Sequence, residues 1–384
     1  MDKSIIDHNK IKVCFVQAHV YPFFDKKINA TIGGAELQLY LIGTEIAKDN
    51  GYEVSYLVGD YGQPKTVQHG NISLFNGIPT KKGLSLLKKI SSALKIYRIL
   101  GRINADIYIS SGANSVIGLV SYFCLHKGKI HIYRTSHKNG CNKVYINQNG
   151  LTGKIFQYGL EHANFVITQS KEHQILLKQH HNRNSKVFRN IFPIQTQKNG
   201  LKKKTILWVA RIAHWKQPEL FIELAKLFPS EKFVMVCATS KEDVHYQNKI
   251  QSMIKQQSNI KLYNQVPYDQ VQKIFNEAKI FVNTSMAEGF PNTFLQAGVG
   301  KTPIVSLNVN PDGFIEQYNC GYFCQNNFNN MVLKIRILLK QRDDWQKKSE
   351  NLYNYVRNNH DLSRNVAYLK QLIRYFISES KSLK

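Results

Sequence analysis

The stretch Ser285-Met286-Ala287-Glu288-Gly289-Phe290-Pro291-Asn292-Thr293-Phe294-Leu295-Gln296-Ala297-Gly298 holds the residues best suited to chemistry. It follows an apolar run, 280–282, that reads as a buried strand. Pro291 suits the first turn of a helix, where its missing N–H costs nothing. The order is therefore strand, glycine-containing loop, helix start. That order aims free backbone N–H groups and the positive end of a helix dipole at one point, which suits a phosphate. Glu288 precedes the helix and Gln296 lies in its second turn, so an acceptor and an amide flank the spot. Hydroxyl-rich ligands that carry a phosphate, such as sugar nucleotides, need that combination. Taken alone, the stretch reads equally well as an ordinary strand-to-helix turn with a solvated glutamate.

What positions this stretch is an α/β chain. At 384 residues it is too long for one ordinary core, and two domains are expected. In the first half, 11–16 is a nearly continuous apolar strand, as expected when both faces are covered. A loop ending in Gly33-Gly34-Ala35-Glu36, a helix from 35 to about 48 and a strand 52–58 complete a βαβ unit. No G-x-G-x-x-G is present. Gly33 and Gly34 still let backbone approach a ligand at a helix start. Residues 81–103 read as one helix with an apolar stripe of Leu86, Ile90, Leu94 and Tyr97. Lys81, Lys88, Lys95 and Arg102 recur every seven residues along one face. The expectation is an ordinary surface helix packed on a sheet, its basic face adding attraction to an anionic membrane.

Strands at 107–109 and 129–133 each run into small or polar residues, and the second leads to His137. Ligands gather at such carboxyl ends in parallel sheets. The polar stretch 138–150 reads as a mobile loop facing a substrate. A strand at 165–168, a helix through 175–177 and a turn at Asn190 and Pro193 follow. Residues 195–204 are polar and lysine-rich and read as a linker. Beyond it the pattern restarts: strand 205–209 leading to Arg211 and Lys216, helix 218–227, strand 233–237, helix 244–255, strand 260–263, helix 269–277, then the opening stretch and a last clear strand at 303–306. Val366, Leu369, Ile373 and Phe376 mark a final amphipathic helix.

Composition narrows the partners. The chain has 52 Lys and Arg against 26 Asp and Glu, a net charge of +26. That balance favours acidic partners: nucleic acid, an anionic membrane or phosphorylated small molecules. No nucleic-acid motif and no basic tract interleaved with aromatics is found, so nucleic acid is not expected. The six cysteines form no C-x-x-C pair and no zinc spacing, as expected for reduced thiols in the cytosol. Residues 1–4 lead into no signal-peptide core, and no apolar run is long enough to span a bilayer. A cytoplasmic protein is expected, with peripheral attachment at the inner face of the membrane as the companion expectation.

At this point four segments, in order, resemble the retaining GT-B glycosyltransferases of family 4, the glycosyl transferases group 1. Gly33-Gly34-Ala35-Glu36 resembles that family's glycine loop beneath the donor diphosphate. Val209-Ala210-Arg211 with Lys216 five residues on resembles its V-G-R-x4-K segment, where two cations clamp the diphosphate. Asn264-Gln265-Val266-Pro267 resembles the segment bordering the nucleotide base, and Ser285 to Gln296 resembles the E-x7-E signature.

The resemblance implies two Rossmann-like domains facing across a cleft. Their expected spans are 1–195 for the acceptor and 196–358 for the nucleotide-sugar donor, with a helix 359–384 packing back toward the first. It implies catalytic roles for His137, Arg211, Lys216 and Glu288. Glu288 would hold donor-sugar hydroxyls, beside Gly289 and Phe290 backbone. Gly33, Gly34, Val266, Asn292 and Thr293 would complete the donor contacts. The chain departs from the signature at its second glutamate, where Gln296 stands. Glutamine still accepts and donates, without the charge that strengthens a hydroxyl contact. Asn190 resembles an asparagine at the interdomain turn and carries a structural expectation. No metal is implied: no D-x-D stands at a strand end, and no cofactor beyond the nucleotide-sugar substrate is expected. The implied function is transfer of a sugar from a nucleotide-sugar to a saccharide or lipid-linked saccharide in surface polysaccharide synthesis. A sugar-nucleotide epimerase of the same architecture and a non-catalytic basic binding module are the alternatives.

Overall fold

The structure, a computed structural model, describes residues 10–28, 33–81, 83, 85–194, 202–238, 243–264 and 266–382. Most of the expected linker (195–201), Gln265 and residues 1–4 lie outside the described residues. The chain divides into two compact units. One gathers the described residues up to Ile191 and from Leu362 onward; the other runs Phe192–Asp361.

The first unit contains β1 (Ile11–Val16), α1 (Gly34–Ile46), β2 (Tyr52–Gly59), β3 (Thr66–His69), β4 (Ile72–Ile78), α2 (Leu86–Ile103), β5 (Ile107–Ser111), α3 (Ser115–Lys127), β6 (Ile130–Arg134), α4 (Val144–Gln148), α5 (Gly150–His162), β7 (Phe165–Thr168), α6 (Lys171–His181) and β8 (Lys186–Val187). Its sheet runs β3-β4-β2-β1-β5-β6-β7-β8, parallel except for β3, which pairs antiparallel with β4 at the edge. β5 and β6 are buried along their whole length, as in a sheet covered on both faces, and they bury Ser110, Ser111, His131 and Arg134 along with their apolar residues. Helices α3 and α5 approach closely because Gly118 faces the backbone of Ile155 and Gly159 the backbone of Ile117 and Gly118; a Cβ on either glycine would strike the other helix. α2 packs beside α3 through Tyr97, whose ring meets Phe123 edge-on at 5.1 Å.

The second unit contains β9 (Thr205–Arg211), α7 (Pro218–Leu227), β10 (Lys232–Ala238), α8 (Val244–Lys255), β11 (Ile260–Asn264), α9 (Tyr268–Glu277), β12 (Ala278–Asn283), α10 (Asn292–Val299), β13 (Ile304–Ser306), α11 (Phe314–Gln317), β14 (Gly321–Phe323), α12 (Phe328–Lys340) and α13 (Arg342–Asn359). Its wholly parallel sheet runs β11-β10-β9-β12-β13-β14. One core lies on each face, around Trp208, Phe221 and Met235 on one side and Phe281, Phe294 and Phe314 on the other. The chain then adds α14 (Leu362–Ser382) to the first unit, where Phe376 stacks on Phe165 at 3.7 Å and Lys370 pairs with Asp49 at 2.9 Å.

Several expectations need revision. The boundary expected at 195/196 falls at Phe192, which is buried in the second core and donates its N–H to His360 at 2.8 Å. The second unit also runs on to Asp361, past the expected end at 358. The expected loop 138–150 is instead a 3-10 turn (Lys138–Gly140), α4 and the start of α5. Strands β3, β4 and β14 and the 3-10 segment Ala18–Phe23 were not expected. α2 begins at Leu86, and of its expected packing stripe only Tyr97 meets the core. Ile96, Ile99 and Leu100 are buried, while Leu86, Ile90 and Leu94 are 66%, 52% and 54% exposed.

Candidate active site

The second sheet reverses its direction of growth between β9 and β12. Parallel sheets bind ligands outside the carboxyl ends of strands at such a reversal. β9 ends at the exposed Arg211, and a 3-10 turn, His214–Lys216, follows. β12 ends at Asn283, and the loop after it runs into α10. The opening stretch of the sequence therefore sits beside the two cations.

A buried network joins the two loops. Lys216 Nζ lies 2.7 Å from Glu288 Oε2, with the side chains 10% and 15% exposed. Asn283 Nδ2 donates to Glu288 Oε1 at 2.9 Å, and its own Oδ1 accepts the Ser285 N–H at 3.1 Å. Trp208 Nε1 donates to Thr284 Oγ1 at 2.9 Å, and that hydroxyl donates to the Lys216 carbonyl at 2.7 Å. The Met286 N–H reaches the Trp215 carbonyl at 2.8 Å. The Lys216 ammonium also lies 4.0 Å from the centre of the Trp215 ring. Burial lowers the Lys216 pKa and nearby Arg211 pushes the same way, while Glu288 opposes both. The carboxylate thus favours the charged form of an ammonium that burial disfavours.

The helix start supplies the second half of the site. Pro291 caps α10, and Asn292 and Thr293 form its first turn, half-buried. First-turn N–H groups have no partner within their helix. Phe290 turns its side chain into an aromatic cluster, 5.3 Å from Phe314 and 4.6 Å from His360. Gln296 is buried on α10, and its side-chain amide hydrogen-bonds to no described residue. Its backbone carbonyl accepts from the Gln272 side chain at 3.1 Å. Val266 is half-buried just before α9.

The remaining expected residues belong to the first unit. Gly33 is the extended cap residue of α1 and Gly34 its first helical residue. Neither has a positive φ. His137 is half-buried after β6, and its Nδ1 accepts the Asn139 N–H at 3.2 Å, opening the 3-10 turn. Asn190 is buried and accepts from the fully buried Arg134 at 2.6 Å. Gln38 then clamps the backbone of Ile191 through both its N–H and its carbonyl, at 2.7 and 2.9 Å. Burial brings the Arg134 pKa down to about 10.

Asn283, Thr284 and Trp208 were missed by sequence reasoning. The polar run Asn283-Thr284-Ser285, directly after a buried strand, could have drawn attention to the first two, but not to their partners.

Residues 192–359 match the family described as Glycosyl transferases group 1. That match takes in nearly the whole of the second unit. The chain is 27% identical over 236 residues to a poly(ribitol-phosphate) alpha-N-acetylglucosaminyltransferase of Staphylococcus aureus, spanning 53% of this chain and 45% of that one. It spans less than two thirds of the length of the curated relatives it matches. Sucrose-phosphate synthase from Thermosynechococcus elongatus superposes with a TM-score of 0.78 at 13% identity, over 96% of this chain and all of that one. The Anabaena protein HepE, in complex with UDP and glucose, superposes at 0.70 with 14% identity, over 95% and 100%. The architecture is thus GT-B: two Rossmann-like α/β domains.

Proposed function

We propose that this chain is a retaining glycosyltransferase that moves a sugar from a nucleoside-diphosphate donor to a saccharide acceptor, carried on a lipid, in surface polysaccharide synthesis. The observation that carries the proposal is the buried Lys216–Glu288 pair beside Arg211 and the start of α10, at the strand reversal of the unit that matches the group 1 family. Departure of the diphosphate builds negative charge. Arg211, Lys216 and the N–H groups at Asn292 and Thr293 counter that charge as it forms. Glu288 accepts hydrogen bonds from the sugar hydroxyls, and Gln296 from the ribose. The two cations and the helix start do the work a metal would do, so turnover is expected to survive chelation by EDTA.

His137 is proposed to bond a sugar hydroxyl or position the acceptor, and Gly33 and Gly34 to let backbone approach the diphosphate. Val266 borders the base. The UDP and glucose in the HepE structure support a uridine donor, and the alpha linkage named for the Staphylococcus aureus relative supports retention. A thermal-shift screen of the full chain against nucleotide-sugars tests donor binding, since a ligand of the folded state raises the melting temperature. Transfer from the best donor, with the anomeric configuration of the product read by NMR, tests the reaction. Interconversion of two nucleotide-sugars without acceptor would replace the proposal with an epimerase. An inverted product would remove the retaining step.

A further inference from the structure

α2 presents three faces. At about 100° per residue, Ile96, Ile99 and Leu100 point one way and are buried in the first unit. Lys88, Lys95, Arg98 and Arg102 lie along a second face, all exposed. The third face is apolar and uncovered: Leu86, Leu87, Ile90 and Leu94 are 66%, 80%, 52% and 54% exposed. Every residue from Ser85 to Ser91 is exposed, so the first half of the helix stands clear of the core. The neighbouring α3 continues the surface with Tyr122 and Leu125, 44% and 60% exposed. Neither helix contains an aspartate or glutamate.

We infer that this face of α2, continued by α3, docks the protein on an anionic lipid bilayer. An apolar row beside a basic row, with no acid between them, is the arrangement of a helix lying in a membrane interface. Leucines reach the acyl boundary while lysines and arginines stay at the headgroups. Charge complementarity selects the occupant. A soluble polyanion would use the basic row and leave four large aliphatic side chains in water; a bilayer uses both. No helix of the described residues is long and apolar enough to cross a membrane, so the contact is with the surface. The inference is independent of the glycosyltransfer reading, because it concerns a different face and its test reads no activity.

The test is co-sedimentation of the full chain with vesicles of phosphatidylcholine alone, or containing roughly a third phosphatidylglycerol. Binding is expected only to the anionic vesicles and should weaken as salt rises, through screening of the basic row. The triple variant L87Q/I90Q/L94Q should lose roughly tenfold or more in partitioning. Lys88→Gln with Lys95→Gln should lose roughly fivefold per lysine. These side chains are exposed, so unfolding temperatures should match the parent. Failure to bind anionic vesicles at low salt overturns the inference, as does a leucine variant that binds like the parent. A dimer in size-exclusion chromatography that the leucine variant abolishes, without vesicle binding, would assign the face to a second copy instead.

Discussion

Lys216 Nζ lies 2.7 Å from Glu288 Oε2 although the two residues follow different strands, β9 and β12, and both are largely removed from water. The pair ties the cation loop to the glutamate loop. Removing one partner leaves the other charge stranded. Glu288→Ala is expected to destabilise the protein by about 2–3 kcal/mol, less than a fully dry pair because some water access remains. Glu288→Gln keeps a polar partner and should cost less. Both should remove transfer activity, and Lys216→Ala should lower kcat/KM roughly hundredfold. Chemical denaturation and steady-state kinetics check the two effects separately. Full activity in Glu288→Ala would remove the glutamate from the donor site.

A second prediction concerns Gln296. The side chain is buried on α10 with no described partner for its amide. Restoring a charged acceptor there strengthens a contact to a donor hydroxyl. Gln296→Glu should lower the donor KM and leave kcat unchanged, read from initial rates over a donor titration. An unchanged or raised KM would mean that the surroundings are built for the amide.

Thr284 holds the Lys216 carbonyl and receives the Trp208 indole N–H. Thr284→Val keeps the shape and removes the hydroxyl, leaving a buried donor and acceptor unpaired, at about 1–3 kcal/mol of stability. A shift of Lys216 should lower kcat/KM roughly tenfold. Thr284→Ser should restore both. A stability loss with unaltered kinetics would leave the threonine purely structural.

The fourth prediction is a pH dependence. His131 is fully buried between Ser110 and Ser121, whose hydroxyls lie 2.6 and 2.7 Å from its ring nitrogens. Burial drives its pKa down to about 3. A histidine with a depressed folded pKa adds stability that is fully present above its unfolded value, about 6.5, and is lost as pH falls toward 3. Unfolding free energy should therefore decline below about pH 6.5, by at most about 1.4 kcal/mol per pH unit from this group. His131→Asn should flatten that slope in urea melts at stepped pH.

Much of this architecture is legible in the sequence because central parallel strands are buried on both faces. β1, β7 and β12 stand out as apolar runs between polar ends. Two of the unread elements lack that contrast. β3, Thr66-Val67-Gln68-His69, is an exposed edge strand that owes its place to pairing with β4. α4 is short and has no buried residue, so it carries no periodic stripe. α2 was legible as a helix, but its heptad of basic residues left two apolar rows. Only the packing of Tyr97 and Leu100 against the unit decides which row is covered. At the site, charged residues announced themselves, whereas Thr284 and Trp208 act through bonds between strands that sequence spacing does not encode.

The assignment of α14 to the first unit bears on how the protein is made. Its contacts, Phe376 on Phe165 and Lys370 on Asp49, join residues separated by the entire second unit. On the ribosome, the second unit is complete while the first still waits for its closing helix. Domains that fold as units during synthesis usually finish in the order they emerge. Here that order is inverted: until α14 has emerged, the positions that Val366, Leu369 and Ile373 fill in the first unit stay uncovered.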